Sequence, residues 1–264
     1  MKQPEEWLNN CPSCGFKQST LTSGAGRGVD GLETLRKKNF DIIISRLDGY
    51  LDISSAQCLE VGCAEGWFLE AMTKIGANIS AIEASDQAKE RQKEGYNVIH
   101  GFFPEALPAE KKYDLIIFND VFEHLPDPVT AIKKCEDYLT DGGLLVINIP
   151  NSRGIFYKIA NLLKQIGMRK PFDRLWQKDL PSPHMTYFSD KNMELFVKKY
   201  TGLAILNDFY LPSIVKDGLE QRIQASYGGI AGKLIYICLL AGLPVMKILP
   251  KDIMVFVFQK SLRN

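Results

Sequence analysis

Apolar and polar positions along the chain alternate in blocks that predict strands and helices in turn. Residues 32–51 carry apolar side chains at helical spacing, which indicates an amphipathic helix. Residues 115–118 form a continuous apolar run, which is typical of a strand buried on both faces of a sheet. Shorter runs predict further strands at residues 78–82, 144–149, 204–208 and 253–258. Alternation of this kind indicates an α/β fold whose parallel sheet has helices on both faces.

Two long segments separate the later strands and are expected to form helical caps. The first, residues 150–183, is basic and aromatic, and it exceeds the roughly 15 residues beyond which loops usually carry function. The second, residues 210–251, has a mostly apolar half interrupted by Lys233, Pro244 and Lys247. Because a membrane-spanning helix needs about 20 apolar residues with few charges, we expect this helix to pack over the mouth of a ligand site. Peripheral contact with a membrane, or a pocket for a lipid-linked molecule, is the alternative.

The most informative stretch follows the first predicted strand, which ends at Val61. Small residues stand at alternate positions, Gly62, Ala64 and Gly66, in a turn where a ligand can approach the backbone. A dinucleotide-binding turn needs a third small residue three positions after its second, and Trp67 occupies that place. The spacing therefore favours a nucleotide-like cofactor other than a nicotinamide dinucleotide.

Polar side chains follow two of the predicted strands. Glu83 lies at the end of strand 78–82, about 20 residues past the glycine turn, where an acid can accept hydrogen bonds from both hydroxyls of a ribose. Asn119 and Asp120 follow strand 115–118. Ligands of open α/β sheets bind outside the carboxyl ends of the strands, so these side chains are candidates for one binding site.

Two stretches of the chain match longer motifs. The segment from Glu60 to Gly66 resembles E/D-x-G-x-G-x-G, with Ala64 in place of the middle glycine. Residues 114–128 resemble D-h-h-h-x-x-x-h-x-E-H-h-x-D-P, where h is apolar, and the residues in register are Asp114, Glu123, His124, Asp127 and Pro128. In this order the motifs resemble those of class I methyltransferases that use S-adenosylmethionine, including members that act on small molecules, sugars and quinones.

The resemblance implies a Rossmann-like three-layer α/β sandwich with seven mostly parallel strands and an antiparallel last strand. It divides the chain into an N-terminal extension, residues 1–31, and a methyltransferase domain, residues 32–264. S-adenosylmethionine is the implied cofactor and S-adenosylhomocysteine its product. The implied cofactor-binding residues are Glu60, Gly62, Cys63, Ala64, Gly66, Trp67, Glu83, Ala84, Phe102, Phe103, Asn119, Asp120 and Val121.

The segment after the third predicted strand departs from the family. Many relatives carry an acidic side chain there that binds the adenine amino group, whereas this chain has Phe102 and Phe103. We expect one of these rings to lie near the adenine, although burial in the core is the commoner position of an aromatic ring.

Two of the three histidines are candidates for the proton transfer that methylation of a hydroxyl requires. His124 occupies the E-H position of the second motif, and His184 lies in a segment that resembles the H-x-x-Y/F-F-S stretch of some relatives. Both are predicted catalytic residues, against the alternative that they only shape the pocket and anchor a loop. His100 is expected to be structural. No metal ligand is assigned at this site.

The net charge and the absence of two motifs limit the classes of molecule that can be the methyl acceptor. The net charge of +1 argues against a nucleic-acid partner, which would demand a strongly basic face. Residues 119–122 lack the motif for amino methylation of nucleobases, and no Pro-Cys nucleophile is present. The expected function is therefore methyl transfer, with oxygen favoured, to a small molecule, a sugar or a lipid-linked glycan. The alternatives are an inactive methyltransferase-like binding module and an NAD-dependent oxidoreductase.

The first residues and the six cysteines indicate in which cellular compartment the protein is expected. The opening segment MKQPEEWLNN has no apolar run, so no secretory signal is expected, and we expect reduced thiols in a cytoplasmic or membrane-peripheral protein. Cys11 and Cys14 form C-P-x-C-G, half of a zinc ribbon, whose metal needs four ligands. This half-site is expected to be the remnant of a zinc-binding N-terminus. The sequence does not indicate an oligomeric state.

Overall fold

The computed structural model describes residues 5–22, 24, 32–246 and 248–262. The boundary expected at residue 31 lies outside these residues. Over the described ranges, the strands are β1 (Leu8–Asn10), β2 (Lys17–Ser19), β3 (Gln57–Val61), β4 (Asn78–Glu83), β5 (Val98–His100), β6 (Tyr113–Asn119), β7 (Leu139–Pro150), β8 (Thr186–Tyr187), β9 (Ala204–Leu211) and β10 (Ile253–Gln259). The α-helices there are α1 (Glu33–Leu47), α2 (Trp67–Lys74), α3 (Gln87–Lys93), α4 (Pro128–Tyr138), α5 (Ile155–Gln165), α6 (Lys170–Leu175), α7 (Asp190–Tyr200), α8 (Leu219–Tyr227) and α9 (Gly229–Met246).

A seven-stranded sheet in the described chain has the order β5-β4-β3-β6-β7-β10-β9. Its neighbouring strands are parallel except for β10, which runs antiparallel to both β7 and β9. The predicted Rossmann-like sheet with an antiparallel last strand is therefore confirmed. The direction of chain order reverses between β3 and β6, and ligands of such sheets bind at the carboxyl ends of the strands at this reversal. The two strands pair from Cys58 with Leu115 to Val61 with Phe118.

Strand β6 shows how the sheet is covered on both faces. Its four central residues, Leu115–Phe118, are fully buried, as the continuous apolar run predicts. Ile116 and Phe118 enter one apolar cluster, which includes residues of α4 and α7. Leu115 and Ile117 enter another, which includes residues of α1 and α2. Alternate side chains of one strand thus hold together the three layers of the sandwich.

Two element ends differ from the expectation. Helix α1 ends at Leu47 rather than near residue 51, and Tyr50 beyond it is exposed. Strand β7 begins at Leu139, before the expected residue 144. A register shift between the Tyr113–Leu139 and Leu115–Leu144 pairs absorbs the extra residues, and Gly142 there has a φ of +80° that suits glycine. The strand therefore continues through a glycine-containing bulge that the sequence pattern reads as a turn.

The first cap segment packs against the N-terminal hairpin. Between residues 150 and 183 the chain forms the helices α5 and α6. Strands β1, β2 and β8 form a small antiparallel sheet beside it. A mainly aromatic apolar cluster joins the two parts. Its members are Leu8, Tyr157, Ala160, Phe172, Trp176 and Tyr187, with Trp7 packed against them. The cap and the N-terminal segment are therefore one packed unit.

The described residues of the second inserted segment do not line the ligand cavity. It forms α8 and α9, which pack mainly against each other. The apolar side chains of Ile230, Leu234 and Ile237 on α9 are exposed. None of the described residues of α9 lines the cavity described below, so the expectation that this helix closes its mouth is wrong. Within the described residues, no helix combines the length and apolar character that crossing a bilayer requires.

Candidate active site

A cavity of about 680 Å³ opens at the carboxyl ends of β3, β4 and β6. Its volume is typical of small-molecule sites, which span roughly 300–1,000 Å³. The predicted site residues that line it are Gly62, Ala64, Glu83, Ala84, Phe102, Phe103, Asn119, Asp120, Val121 and His124. Those absent from its wall are Glu60, Cys63, Gly66, Trp67 and His184. The structure thus brings most of the predicted set to one cavity.

The glycine turn has a backbone shape that requires its small residues. Gly62, Ala64 and Gly66 all have positive φ angles, of 76°, 44° and 75°. A Cβ on Gly62 would lie 2.5 Å from a methyl carbon of Val121, so the two loops approach closely there. Gly66 stands immediately before α2, which begins at Trp67. The turn therefore exposes backbone to the cavity where any larger side chain would fill the space.

We expect Gly62→Ala to destabilise the protein more than a glycine substitution that only forces an unfavourable φ. The new methyl group meets Val121, and overpacking of this kind costs about 1–3 kcal/mol in addition to the backbone strain. Gly76→Ala is the matched control, because Gly76 has a φ of +80° with no atom within 4 Å of a built Cβ. Urea unfolding of both variants measures the difference. Equal losses of unfolding free energy would contradict the predicted collision.

Glu83 connects the end of β4 to the glycine turn. One carboxylate oxygen accepts a hydrogen bond from the Ala64 N–H at 3.0 Å, and the other accepts one from the Ser85 N–H at 2.7 Å. The side chain is mostly buried, and Glu83 lines the cavity. It therefore supports the turn with one oxygen while its position at the strand end suits contact with a ligand.

Glu60 lies inside the protein rather than on the cavity wall. One of its carboxyl oxygens accepts a hydrogen bond from the Asn119 side-chain amide at 3.3 Å. Burial raises the pKa of Glu60 to about 8, with a smaller contribution from the negative charge of Glu83. The carboxyl group therefore keeps its proton at neutral pH and joins β3 to the end of β6 as an uncharged group.

We expect Glu60→Gln to remove a pH dependence of stability. In the folded protein Glu60 keeps its proton up to about pH 8, whereas in the unfolded chain it loses the proton above about 4.5. The folded state binds more protons in this window, so the stabilisation present below pH 4.5 is lost as pH rises. Glutamine mimics the neutral acid and does not titrate. Because each pKa unit corresponds to about 1.4 kcal/mol, we expect the variant to gain a few kcal/mol of unfolding free energy over the native protein at pH 8.

Urea unfolding at pH 5 and pH 8 measures the effect of Glu60→Gln. The variant should gain stability over the native protein mainly at the higher pH. Glu110→Gln is the matched control, since the Glu110 side chain is exposed. An advantage of Glu60→Gln that is the same at both pH values would contradict a neutral buried Glu60.

Arg36 is a cavity residue that the sequence analysis missed. It projects from α1, lines the cavity and pairs with Asp120, with 3.2 Å between Nε and a carboxylate oxygen. Asp120 has a φ of +54°, directly after β6, and its N–H donates to the carbonyl of Asn148. The helical pattern of α1 alone gives no sign of this role. An ion pair between a helix and a strand end thus forms part of the wall beside the glycine turn.

The two phenylalanines after β5 have different surroundings, although both line the cavity. Phe103 is buried in the core, where its ring meets Phe118 edge to face at 5.5 Å between centroids. Phe102 is 60% exposed. Asp127 lines the same region and caps α4 by accepting hydrogen bonds from the Val129 and Thr130 N–H groups. Phe102 is therefore the ring of the two that has free surface for a ligand.

His124 and His184 lie side by side, with 4.7 Å between ring centroids. Nδ1 of His124 is 3.0 Å from the carbonyl oxygen of Pro183. Because a carbonyl oxygen only accepts, Nδ1 carries the hydrogen, and Nε2 of the neutral ring has a free lone pair. Burial lowers the pKa of His124, against the carbonyl of Pro183 and the charge of Asp120, which raise it. His124 is therefore a neutral imidazole on the cavity wall at neutral pH.

His184 is fully enclosed behind His124 and does not line the cavity. The Gln177 side-chain amide lies 3.0 Å from its Nε2. Burial lowers the pKa of His184 well below the ordinary value, and repulsion from His124, when that ring is protonated, lowers it further. The ring therefore stays neutral and is positioned to support His124 and the cap rather than to reach a ligand.

Glu123 completes a buried cluster with these two histidines. The three side chains bring potential metal-ligating atoms within 4.8 Å of one another. Burial raises the pKa of Glu123 well above its ordinary value, and the charge of Asp120 raises it further. One carboxylate and two imidazoles form a donor set that suits a transition metal. The sequence analysis assigned no metal ligands here, because His184 reaches this cluster from a distant segment.

A Rossmann-like sheet with this turn, an acid at the end of β4 and a cavity at the β3–β6 reversal defines the class I methyltransferases. A model of the methyltransferase domain family matches residues 32–206. The ubiquinone biosynthesis O-methyltransferase of Xanthomonas oryzae pv. oryzae is 26% identical over 249 residues, covering 85% of this chain and 98% of the relative. The protein of the same name from Nitrosospira multiformis is 30% identical over 124 residues, covering 42% of this chain and 52% of the relative.

Solved structures show the same fold. Magnesium protoporphyrin IX methyltransferase from Synechocystis PCC 6803, solved with bound SAH, has a TM-score of 0.57 and 12% identity, covering 90% of each chain. A SAM dependent methyltransferase from Archaeoglobus fulgidus has a TM-score of 0.53 and 15% identity, covering 87% of this chain and 97% of that one. The chain belongs to the methyltransferase domain family, and it is an S-adenosylmethionine-dependent methyltransferase.

Proposed function

We propose that the protein methylates a hydroxyl oxygen of a small polar acceptor, with His124 as the base. The observation that carries this proposal is the neutral imidazole of His124 on the cavity wall, with Nδ1 held by the Pro183 carbonyl. An imidazole with a free lone pair is suited to accept a proton. The names of the O-methyltransferase relatives support oxygen as the methylated atom.

The cofactor is proposed to lie across the ends of β4, β3 and β6. Glu83, at the end of β4, is placed to accept hydrogen bonds from the ribose hydroxyls. Phe102 supplies an exposed aromatic face on the same side, for the adenine. Arg36 lies toward Asp120 and is the cationic group suited to the carboxylate of the methionine part. A cofactor held by these residues would present its methyl group to the residues that follow β6.

Polar side chains lie beside His124 in the wall of the cavity. His124 is joined there by Gln177 and Ser182, both contributed by the first cap segment. Side chains of this kind pair with hydroxyl groups, whereas a lipid-linked acceptor needs an extended apolar groove. The exposed apolar helix α9 does not contribute to the described lining. These contacts favour a small hydroxylated molecule or a sugar over a lipid-linked glycan.

The sulfonium of S-adenosylmethionine supplies an electrophilic methyl group, and its displacement leaves neutral S-adenosylhomocysteine. His124 takes the hydroxyl proton on Nε2 as the acceptor oxygen forms its bond to the methyl carbon. The Pro183 carbonyl holds the ring in the required tautomer through Nδ1–H. Gln177 and Ser182 are placed to orient the acceptor, and alignment of this kind can contribute several kcal/mol to catalysis.

Calorimetry and a labelled-methyl assay test the proposal. We expect S-adenosylhomocysteine to bind and NAD not to bind, which would exclude the oxidoreductase alternative. Label from S-adenosylmethionine should transfer to phenolic or sugar hydroxyls. No labelled methyl group should be found on an amine nitrogen or a sulfur atom of the product. Transfer only to lipid-linked acceptors would contradict the small-molecule proposal. Tight cofactor binding with no transfer to any acceptor class would support the inactive binding module.

A further inference from the structure

The N-terminal hairpin carries two thiols that the cofactor site does not use. Cys11 and Cys14 lie in the turn C-P-S-C-G between β1 and β2. Both are free cysteines; Cys14 is exposed, and Cys11 is partly exposed. The side of the turn that bears the sulfur atoms is therefore open to a ligand from outside.

Backbone hydrogen bonds hold this turn in a defined shape. The Cys11 N–H donates to the Phe16 carbonyl at 2.8 Å, and the Gly15 N–H donates to the Cys11 carbonyl at 3.0 Å. Gly15 has a φ of +71°, a conformation that favours glycine. These contacts hold the backbone of Cys11 and Cys14 in one shape before any ligand binds.

The turn is also fixed to the rest of the protein. The Phe16 ring lies 4.8 Å from that of Phe188 in the domain core. The Asn192 side-chain amide donates to the Cys14 carbonyl at 3.3 Å. The positive charge of Lys17 is close enough to interact with Cys14. Because its backbone is already held in place, the turn loses little conformational entropy when it binds a ligand.

Two thiolates are half of the ligand set that zinc requires. Structural zinc is bound tetrahedrally by four ligands, and C-x-x-C is the usual spacing of one pair. Within the described ranges, the cluster of three or more potential ligands lies at Glu123, His124 and His184, and none gathers at the hairpin. A second pair of thiolates from another molecule would complete a tetrahedral site at Cys11 and Cys14.

We propose that two copies of the chain bind one zinc ion between their N-terminal hairpins, through Cys11 and Cys14 of each copy. A two-fold axis through the metal places the two pairs opposite each other and completes the tetrahedron. Each thiol that ligates the metal releases its proton to solvent, and zinc undergoes no change of oxidation state. This proposal does not depend on the methyl acceptor or on the role of His124.

Light scattering during gel filtration, combined with elemental analysis, tests the proposal on the full chain. We expect a dimer that contains one zinc ion per two chains and that dissociates to a metal-free monomer when a chelator removes the zinc. The double variant Cys11→Ser, Cys14→Ser should be monomeric without zinc. Cys238→Ser is the matched control, because Cys238 is an exposed thiol on α9, and it should keep both the dimer and the metal.

Four outcomes would overturn the proposal. One zinc per monomer would assign the site to a single chain, and a dimer that survives the chelator would place the interface elsewhere. A monomer that binds no added zinc under reducing conditions excludes the site. A Cys11–Cys14 disulfide with no zinc uptake would assign the pair to redox chemistry. Unchanged affinity for S-adenosylhomocysteine shows that the double variant is folded. If the variant has lost this affinity, the test of the proposal is the oligomeric state of the native protein with and without chelator.

Discussion

Replacing His124 with glutamine is expected to lower the rate of methyl transfer about 100- to 10,000-fold while affinity for S-adenosylhomocysteine stays close to that of the native protein. Glutamine is an uncharged hydrogen-bonding side chain of similar size, but it has no basic lone pair on nitrogen. Turnover with labelled S-adenosylmethionine measures the first quantity, and calorimetry with the product measures the second. A loss of rate without a loss of binding separates proton transfer from assembly of the cofactor site.

The pH profile and two further variants serve as controls for this prediction. Burial lowers the pKa of His124, so we expect turnover by the native protein to fall only as pH drops below the ordinary histidine pKa of 6.5. His124→Gln should lack this fall. His100→Gln, at an exposed histidine, should match the native protein, and His184→Gln should lose less activity than His124→Gln. Native turnover in both the His124 and His184 variants would exclude a histidine base.

Replacing Glu83 with alanine is expected to weaken binding of S-adenosylhomocysteine at least about 100-fold. The variant loses the proposed contacts to the ribose hydroxyls and leaves the Ala64 and Ser85 N–H groups without their carboxylate acceptor. Hydrogen bonds to a charged group contribute about 1.5–3 kcal/mol each, so two of them account for a change of this size. Calorimetric titration with S-adenosylhomocysteine measures it directly.

Two substitutions calibrate the effect of Glu83→Ala. Glu83→Gln keeps the length of the side chain and one acceptor oxygen, so its affinity should lie between those of the native protein and the alanine variant. Asp86→Asn removes a negative charge three residues later, where the side chain is exposed and paired with Lys89, and should leave affinity unchanged. A similar loss in Asp86→Asn would mean that general electrostatics, rather than contact with the ribose, governs binding.

The cofactor half of the candidate site could be predicted from the sequence because its backbone shape requires particular residues. Positive φ angles at Gly62 and Gly66, and the close approach of Val121 to Gly62, exclude most side chains there. Those requirements appear in the sequence as small residues at fixed spacing. The alternation of apolar runs likewise reflects a sheet covered on both faces, as the complete burial of residues 115–118 shows.

The parts of the site that depend on distant contacts could not be predicted in this way. Arg36 meets Asp120 across 84 residues, and nothing in the helical pattern of α1 distinguishes it from a solvent-exposed arginine. Glu123 and His184 also come together only through tertiary packing. The apolar run of α9 predicts a helix, but the surface against which it packs depends on the shapes of both partners. Its position away from the cavity therefore had to come from the structure.

Pairing between the first and later parts of the chain also affects when the cavity wall is completed during synthesis. Strand β2 pairs with β8 through Lys17 and Tyr187, so the hairpin leaves the ribosome long before its neighbour exists. Contacts between segments so distant in sequence form slowly, because closing a long loop costs entropy before the contacts stabilise it. The Ser19 hydroxyl donates to the His184 carbonyl at 3.0 Å within this same pairing. The nascent chain can therefore complete the cavity wall at Gln177 and Ser182 only after this late segment, which pairs with the hairpin, has been translated.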